Sequence, residues 1–292
     1  MILELTALTA QFPIFFSLIA SVVGACVGSF LNVIISRVPQ GLSIVTPGSH
    51  CDCGKSIAWY DNIPIISWII LKGRGRCCGT PIGLRHPCIE ILTAFIFFFI
   101  WNHMTPDHAF CGWVFASALI AATFIDLEHM VIPDFLTLGL GALGVILSGL
   151  VPTLHGQHEG LFVLDSLRSI EASLLGIFIG SGLLFWIAML SAAALKKDAM
   201  GLGDVKFIGA IGAFCGWKGT LFSIFGGAFL GAIAISLVIL IRKIRPSNNT
   251  TAGNTLSNPI PFGPMLALAG LLYFASLQIQ IDHWFTTWAE LF

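Results

Sequence analysis

Two aspartates occupy positions where a carboxylate is costly and therefore informative. Asp204 follows two glycines in Gly201-Leu202-Gly203-Asp204, where an apolar run begins, and Asp126 ends an earlier apolar run. An ionisable residue at the edge of a bilayer usually has a function, because leaving water is unfavourable for its charge. Two carboxylates on different membrane helices therefore predict a shared acid/base site.

Two neighbouring carboxyls can divide the work of hydrolysis. Like charges a few ångströms apart do not both ionise readily, so one carboxyl of such a pair holds a proton and the pair titrates as a unit. The ionised partner can take a proton from water while the protonated one polarises a peptide carbonyl. The two glycines predict a special backbone conformation and room for a substrate strand. The structural alternative is that each Asp caps a helix or pairs with a lysine such as Lys206.

Three further acids lie near these positions. Pro133 and Asp134 are typical of a helix start, where the helix dipole favours an acid. Glu128 and His129 are predicted to face the membrane interface. Glu90 is either a site residue or a partner of the dipole in a first helical turn, and the structural role is preferred.

The composition is that of a membrane protein. Of 292 residues, 56% are hydrophobic and 10% are charged, whereas soluble domains carry about 25% charged residues. Most charge-free runs reach the ~20 residues that cross a hydrocarbon core of about 30 Å. We predict an all-α polytopic membrane protein of about eight transmembrane helices, at residues 13–36, 88–104, 109–127, 134–151, 172–195, 203–218, 220–241 and 262–280.

Basic residues predict the orientation of these helices. Only Arg168 and Lys218 fall on one side of the bilayer, and the basic residues on the other side are Arg37, Lys55, Lys72, Arg74, Arg76, Arg85, Lys196, Lys197, Arg242, Lys243 and Arg245. The positive-inside rule places the second group in the cytoplasm and both termini outside. Asp126 and Asp204 are then both at cytoplasmic helix ends, as a shared site requires.

A single soluble module, residues 37–87, is predicted between the first two helices, which divides the chain into 1–36, 37–87 and a seven-helix core at 88–292. Modules of about 50 residues usually need a metal or another staple. This module contains Cys51, Cys53, Cys77 and Cys78. Clustered thiols in a reducing compartment indicate structural zinc before a disulfide. His50 could also contribute a nitrogen ligand, and a metal-free loop is the alternative.

Small residues recur four positions apart, a spacing that lets membrane helices approach closely. Tight helix packing is the preferred interpretation of these glycines. The pairs are Gly176 with Gly180, Gly212 with Gly216, and Gly227 with Gly231.

The ordered motifs resemble those of the bacterial prepilin peptidases, or type IV leader peptidases, which are membrane aspartic proteases of the GxGD type. A lone Gly-x-Gly-Asp would be a weak signal, but several ordered motifs along nearly the whole chain are specific. The matching segments are Phe30-Leu31-Asn32-Val33 with Arg37-Val38-Pro39, residues 61–68, Arg85-His86-Pro87 with Glu90, residues 125–134, residues 201–206 and Pro261-Phe262-Gly263-Pro264.

The resemblance implies that Asp126 and Asp204 are the catalytic pair. The family removes a short basic leader, after a Gly, from precursors of type IV pilins or type II secretion pseudopilins at the cytoplasmic face of the bacterial inner membrane. Many members then methylate the new N-terminus with S-adenosylmethionine and need the cytoplasmic loop to do so. We assign no residues to that cofactor, and the expected partners are these precursors and the lipid bilayer, with no nucleic acid.

The cysteines depart from the family's pattern of two Cys-x-x-Cys pairs. Cys53 and Cys78 fit the second cysteine of each pair, whereas His50 and Gly75 stand where the first ones would be. Two other functions compete with the protease: a transporter or channel whose acids relay protons or cations, and a methyltransferase whose acids are structural. A transporter predicts acids near the bilayer midplane and inverted repeats, and neither is evident.

Overall fold

A computed structural model describes residues 8–9, 11–51, 53–158, 160–196, 201–244 and 261–289, and these residues are almost entirely helical. Lys197 and Arg245, which were counted for the orientation, lie outside the described residues. The helices are α1 (Pro13–Arg37), α2 (Ile66–Ile70), α3 (Arg85–His103), α4 (Pro106–His129), α5 (Leu140–Leu150), α6 (Phe162–Leu195), α7 (Leu202–Ile244), α8 (Gly263–Leu272) and α9 (Gln278–Ala289). A π-helical turn at Phe135–Gly139 precedes α5, and another at Tyr273–Leu277 joins α8 to α9.

The all-α membrane architecture is confirmed, and a helical segment occupies every predicted position. Five segments are long and apolar enough to cross a bilayer, and a shorter apolar one covers Phe135–Leu150. The five are Pro13–Gln40, Pro106–His129, Phe162–Ala194, Leu202–Ile241 and Gly263–Trp288. The number of helices that cross the membrane therefore stays a prediction.

The start of α6 differs most from its prediction. The helix begins at Phe162 rather than at residue 172, so the connection between the helices predicted at 134–151 and 172–195 is shorter than predicted. Charged residues had excluded this stretch from the apolar run. Asp165, however, is 5% exposed, and its Oδ2 accepts a hydrogen bond from the Gly160 N–H at 3.2 Å, so the helix contains the charge instead of ending at it.

α7 is interrupted at Gly216, where φ is 63° and ψ is −178°. The chain reverses at this residue. A Cβ placed on Gly212 would lie only 2.7 Å from Thr220 Oγ1, whereas in one continuous helix these two residues would be about 12 Å apart. α7 therefore consists of two antiparallel segments, 202–215 and 217–244, in agreement with the two helices predicted there. A positive φ favours glycine, the one residue without a Cβ to clash.

Glycines bring α6 and the first segment of α7 into backbone contact, which confirms the packing predicted from their spacing. A Cβ on Gly176 would overlap the carbonyl oxygen of Gly212, and a Cβ on Gly212 would overlap that of Gly176. Backbone atoms cannot move aside as a flexible side chain can. The two helices thus hold the start of α7, and with it Asp204, in a narrow range of positions.

We expect Gly176→Ala to lower the free energy of unfolding by about 1–3 kcal/mol, because the added methyl group forces packed backbones apart. Gly182→Ala is the matched control on the same helix, since a Cβ there would have no neighbour within 4 Å. Denaturant unfolding of the detergent-solubilised protein measures both. An equal loss in the two variants would contradict backbone packing at Gly176.

α4 is the central helix of the bundle. Its Phe115 is fully buried, and the Phe115 ring centroid lies 4.7 Å from that of Phe214 in α7 and 5.2 Å from that of Phe274. Aromatic side chains at such distances bury large areas and restrict one another's orientation. This cluster fixes α4 relative to α7 and to the segment that follows α8, the elements that carry the candidate site.

Candidate active site

Asp126 and Asp204 meet at one end of the bundle, each delivered by a different helix. Asp126 is in the last turn of α4 and is 6% exposed. Asp204 is in the first turn of α7 and is half-buried, and the two carboxylates are close enough to interact electrostatically. α4 ends just after its acid, because Met130 takes a left-handed φ of 55° and donates its N–H to the Asp126 carbonyl at 2.9 Å.

The start of α8 forms a third side of the site. The Gly263 N–H lies beside the Asp126 carboxylate. A Cβ on Gly263 would lie 2.6 Å from Asp126 Oδ2 and 3.0 Å from Ile132 Cδ1, closer than real side chains approach. Only glycine permits this approach of α8. Its motif was recognised in the sequence, but its contact with Asp126 was not, because the proline that follows Gly263 is typical of any helix start.

Neither aspartate forms an ion pair within the described part of the chain. Lys206, the expected structural partner of Asp204, instead places its Nζ 2.7 Å from Asp134 Oδ1. Asp126 Oδ2 is buried with no hydrogen-bond partner among the described residues. An unsatisfied buried carboxylate oxygen destabilises a fold. Because Asp165 Oδ1 is also buried without a partner among the described residues, this feature agrees with a function for Asp126 but does not by itself establish one.

The glycines before Asp204 are not in crowded positions. Neither Gly201 nor Gly203 is among the described residues with a positive φ, so the prediction of a special backbone conformation is wrong. A Cβ on Gly203 would lie 3.8 Å from Ile132, and one on Gly201 would lie 3.9 Å from its nearest neighbour. Methyl groups would fit there at ordinary contact distances, so the room for a substrate strand stays a prediction.

Two ion pairs connect the chain segments around the acids. Arg85 Nη1 lies 2.5 Å and 2.7 Å from the oxygens of Glu128, which is two residues after Asp126. The Lys206–Asp134 pair joins α7 to the turn before α5, where Asp134 stands at the helix start as predicted. Exposed pairs of this kind contribute little stability, so their main effect is on the relative orientation of the segments.

Glu90 anchors the loop that follows α1. It is 8% exposed, and its Oε2 accepts a hydrogen bond from the Ile65 N–H at 2.7 Å. Ile65 has a φ of 63°, a conformation rarely adopted by β-branched residues. Glu90 therefore has a structural contact, although its partner is the loop backbone and not the dipole of its own helix, and the choice between a structural and a site role stays a prediction. No local pattern in the sequence identifies Ile65 as that partner.

Two tight turns bring four cysteines together. The Cys51 N–H donates to the Lys55 carbonyl, and the Gly75 N–H donates to the Thr80 carbonyl, each at 2.9 Å. Glycines with positive φ, Gly54 and Gly79, complete the turns. The Sγ atoms of Cys51, Cys53, Cys77 and Cys78 lie within 4.8 Å of one another.

The cysteine geometry suits a metal. The Sγ atoms of Cys51 and Cys78 are 3.1 Å apart, and those of Cys53 and Cys77 are 3.3 Å apart; ligands in a tetrahedral zinc–thiolate site lie about 3.8 Å apart. A hydrogen bond with Cys78 is the main cause that lowers the pKa of the Cys51 thiol to about 6, whereas a hydrogen bond with Cys51 is the main cause that raises the pKa of the Cys77 thiol to about 12. Cys51 is therefore the thiol of these two that more readily gives the thiolate that metals bind. The His50 ring contacts the Gly48 carbonyl at 3.0 Å and is outside the cluster.

Known proteins resemble this chain over most of its length. Residues 22–104 match the family model for the bacterial peptidase A24 N-terminal domain, and residues 113–236 match that for the type IV leader peptidase family. The prepilin leader peptidase/N-methyltransferase of Myxococcus xanthus is 32% identical over 275 residues, which cover 90% of this chain and 74% of that protein.

Two further relatives are covered almost completely. The prepilin leader peptidase/N-methyltransferase of Pseudomonas aeruginosa is 31% identical, over 89% of this chain and 90% of that protein. The type 4 prepilin-like proteins leader peptide-processing enzyme of Escherichia coli is 31% identical, over 92% of this chain and 96% of that protein. No solved structure matches the chain.

Proposed function

Because the chain belongs to the type IV leader peptidase family, we propose that Asp126 and Asp204 are the carboxylates with which it cleaves the leader from prepilins. The enzyme is an aspartic endopeptidase that also N-methylates its product. The observation that carries the residue assignment is the meeting of two acids from α4 and α7, free of ion pairs within the described residues. The comparisons do not support a transporter.

In the proposed mechanism, a water molecule bound between the two carboxyls attacks the scissile carbonyl carbon. The ionised carboxyl takes a proton from this water, and the protonated carboxyl donates a hydrogen bond to the carbonyl oxygen. Collapse of the tetrahedral intermediate breaks the C–N bond, and the leaving amine receives a proton from a carboxyl. The products are a leader with a new carboxylate and a mature chain with a new amine.

The substrate and the membrane side are parts of this proposal. The expected substrates are precursors of type IV pilins and type II secretion pseudopilins, cut after a Gly. We place the enzyme as a multi-pass protein in the bacterial inner membrane, with both acids at the cytoplasmic face. The excess of basic residues on that side supports this orientation.

The division into 1–36, 37–87 and 88–292 also stays a proposal. It agrees with a loop that runs from the end of α1 to the start of α3. S-adenosylmethionine is the methyl donor that the family implies for the new amine. No residue of the described loop is assigned to it, and no step of the cleavage depends on it.

We propose that Cys51, Cys53, Cys77 and Cys78 hold a structural zinc ion. The four thiols converge from two turns that are far apart in the sequence, and the loop has few other buried side chains to hold it together. A bound zinc ion would staple the turns, as in other small modules. The shifted positions of Cys51 and Cys77 are compatible with this role, because the turns bring their sulfurs next to Cys78 and Cys53.

Purified enzyme is therefore expected to contain about one zinc ion per chain. The zinc content should fall in the Cys51→Ser and Cys78→Ser variants, because a tetrahedral site uses all four ligands. Cys88→Ser, at an exposed cysteine outside the cluster, should keep its zinc. Elemental analysis measures the metal, and limited proteolysis of the loop measures its folding. A protease-resistant loop without zinc would refute the proposal.

The dyad is tested by leader release. Wild-type enzyme and variants of Asp126 and Asp204 are incubated with a prepilin in detergent or nanodiscs, and mass spectrometry follows the cut product. Methylation of a pilin whose leader has already been removed is measured in parallel with cleavage for the same enzymes. Cleavage that persists in either aspartate variant would refute the dyad. Loss of cleavage while methylation of the pre-cut pilin continues would show that the two activities are separate.

A further inference from the structure

We propose that α2 lies in the interfacial layer of the bilayer, with an isoleucine face, composed of Ile66, Ile69 and Ile70, in contact with lipid. These three side chains are 54%, 62% and 67% exposed. Because they stand at i, i+3 and i+4 of a helix, they share one side of it. Three adjoining, strongly apolar side chains on the surface of a module this small indicate contact with an apolar medium.

The other side of α2 is attached to the loop. Ser67 is 7% exposed, and its Oγ donates a hydrogen bond to the Tyr60 carbonyl at 2.9 Å. The Trp68 Nε1–H donates to the Ile82 carbonyl at 3.1 Å. One side of α2 is therefore hydrogen-bonded to the rest of the loop, and the isoleucine face points away from the loop.

The hydrogen bond between Ile65 and Glu90 fixes the depth of α2. Ile65 immediately precedes α2, and Glu90 is five residues into α3, or about 8 Å along the helix. Glu90 is also next to a membrane helix, since a Cβ on Gly28 of α1 would lie 2.7 Å from the Glu90 Cα. The start of α2 is thus held at a depth at which α1 and α3 are already within the bilayer.

The surroundings favour lipid as the occupant. Ile91 and Leu92, next to Glu90 in α3, are 52% and 40% exposed, as expected where the bundle faces acyl chains. Exposed basic residues, Lys72 and Arg74, follow α2 directly. An apolar face bordered by Lys or Arg is the pattern of interfacial helices, in which the cations meet anionic headgroups.

Quenching by brominated lipid tests this placement. The full-length enzyme carries the fluorescent residue acridonylalanine in place of Ile69 and is reconstituted in nanodiscs of phosphatidylcholine brominated on its acyl chains, with phosphatidylglycerol. Lys55→acridonylalanine is the control, because Lys55 is exposed in a cysteine turn of the same loop. We expect quenching at residue 69 to be at least about threefold that at residue 55, since the bromines lie in the apolar layer.

A second label and an anchor variant keep the test decisive. Ile66→acridonylalanine should be quenched like the label at 69, and both proteins must elute as single species. Glu90→Ala should reduce quenching at 69, whereas Glu90→Gln, which keeps an oxygen acceptor for the Ile65 N–H, should preserve it. Equal quenching at 66, 69 and 55 would overturn the proposal, and a cross-link from this face to a second copy would identify a protein partner instead.

Discussion

Replacing either Asp126 or Asp204 by Ala is expected to abolish leader cleavage, with the rate falling by about 10²–10⁴-fold or more, as for removal of a general acid or base. The two variants should be similarly inactive, because each carboxyl needs the other to divide the proton transfers. The double variant should be no worse than the single ones, since residues that act as a unit are not additive. Initial rates of leader release measure all three.

Asn at either position keeps the shape of the side chain and removes the ionisable oxygen, so Asp126→Asn and Asp204→Asn should also be inactive while remaining folded. Glu128→Gln is the matched control. It removes an acid two residues from Asp126 whose partner is Arg85, and most of the activity should remain. Substantial cleavage by either Asn variant would exclude the dyad. Methylation of pre-cut pilin should persist in both, because the acids are not assigned to that reaction.

Gly263→Ala is expected to lower kcat by about 10²-fold, the order of loss that follows a misplacement of about 1 Å at a reacting group. The new methyl group would lie 2.6 Å from Asp126 Oδ2, so either the carboxylate or the start of α8 must move. The Gly263 N–H also faces this carboxylate, and the same shift would change their distance. Steady-state leader cleavage measures the loss.

Gly231→Ala is the control for this prediction. A Cβ on Gly231 would lie 3.9 Å from Met265 Cγ, an ordinary contact at the same junction of α7 and α8. It should leave kcat near the wild-type value, and both variants should unfold at similar denaturant concentrations. A Gly263→Ala enzyme with wild-type kcat would show that α8 does not position Asp126.

Much of the architecture could be predicted from local sequence. A lipid solvent requires apolar runs about 20 residues long, so the apolar runs indicated helices where the structure has them. The start of α6 was missed because Glu171, with Arg168 and Asp165 before it, appeared to end the apolar run. The structure nevertheless buries Asp165, with one carboxylate oxygen bonded to the Gly160 N–H and the other without a partner among the described residues, and composition does not reveal this.

The contacts around the site could not be predicted in this way. The approach of Gly263 to Asp126 and the bond from Ile65 to Glu90 join segments far apart in the chain. Neither hydropathy nor periodicity specifies which distant segments meet. The cysteines show the same limit, since their spacing departs from the family's Cys-x-x-Cys pairs, whereas the fold of two turns brings all four sulfurs within 4.8 Å of one another.

The sequence by itself determined that this is a membrane protein with two acids at helix ends on one side, because hydropathy and charge asymmetry act on each segment separately. The ordered motifs determined the family. Only the tertiary structure decided that Asp126 and Asp204 are neighbours, that Lys206 pairs with Asp134, and that the start of α8 contacts Asp126. Those relations depend on how closely helices pack, and glycines in contact with distant backbones set that distance.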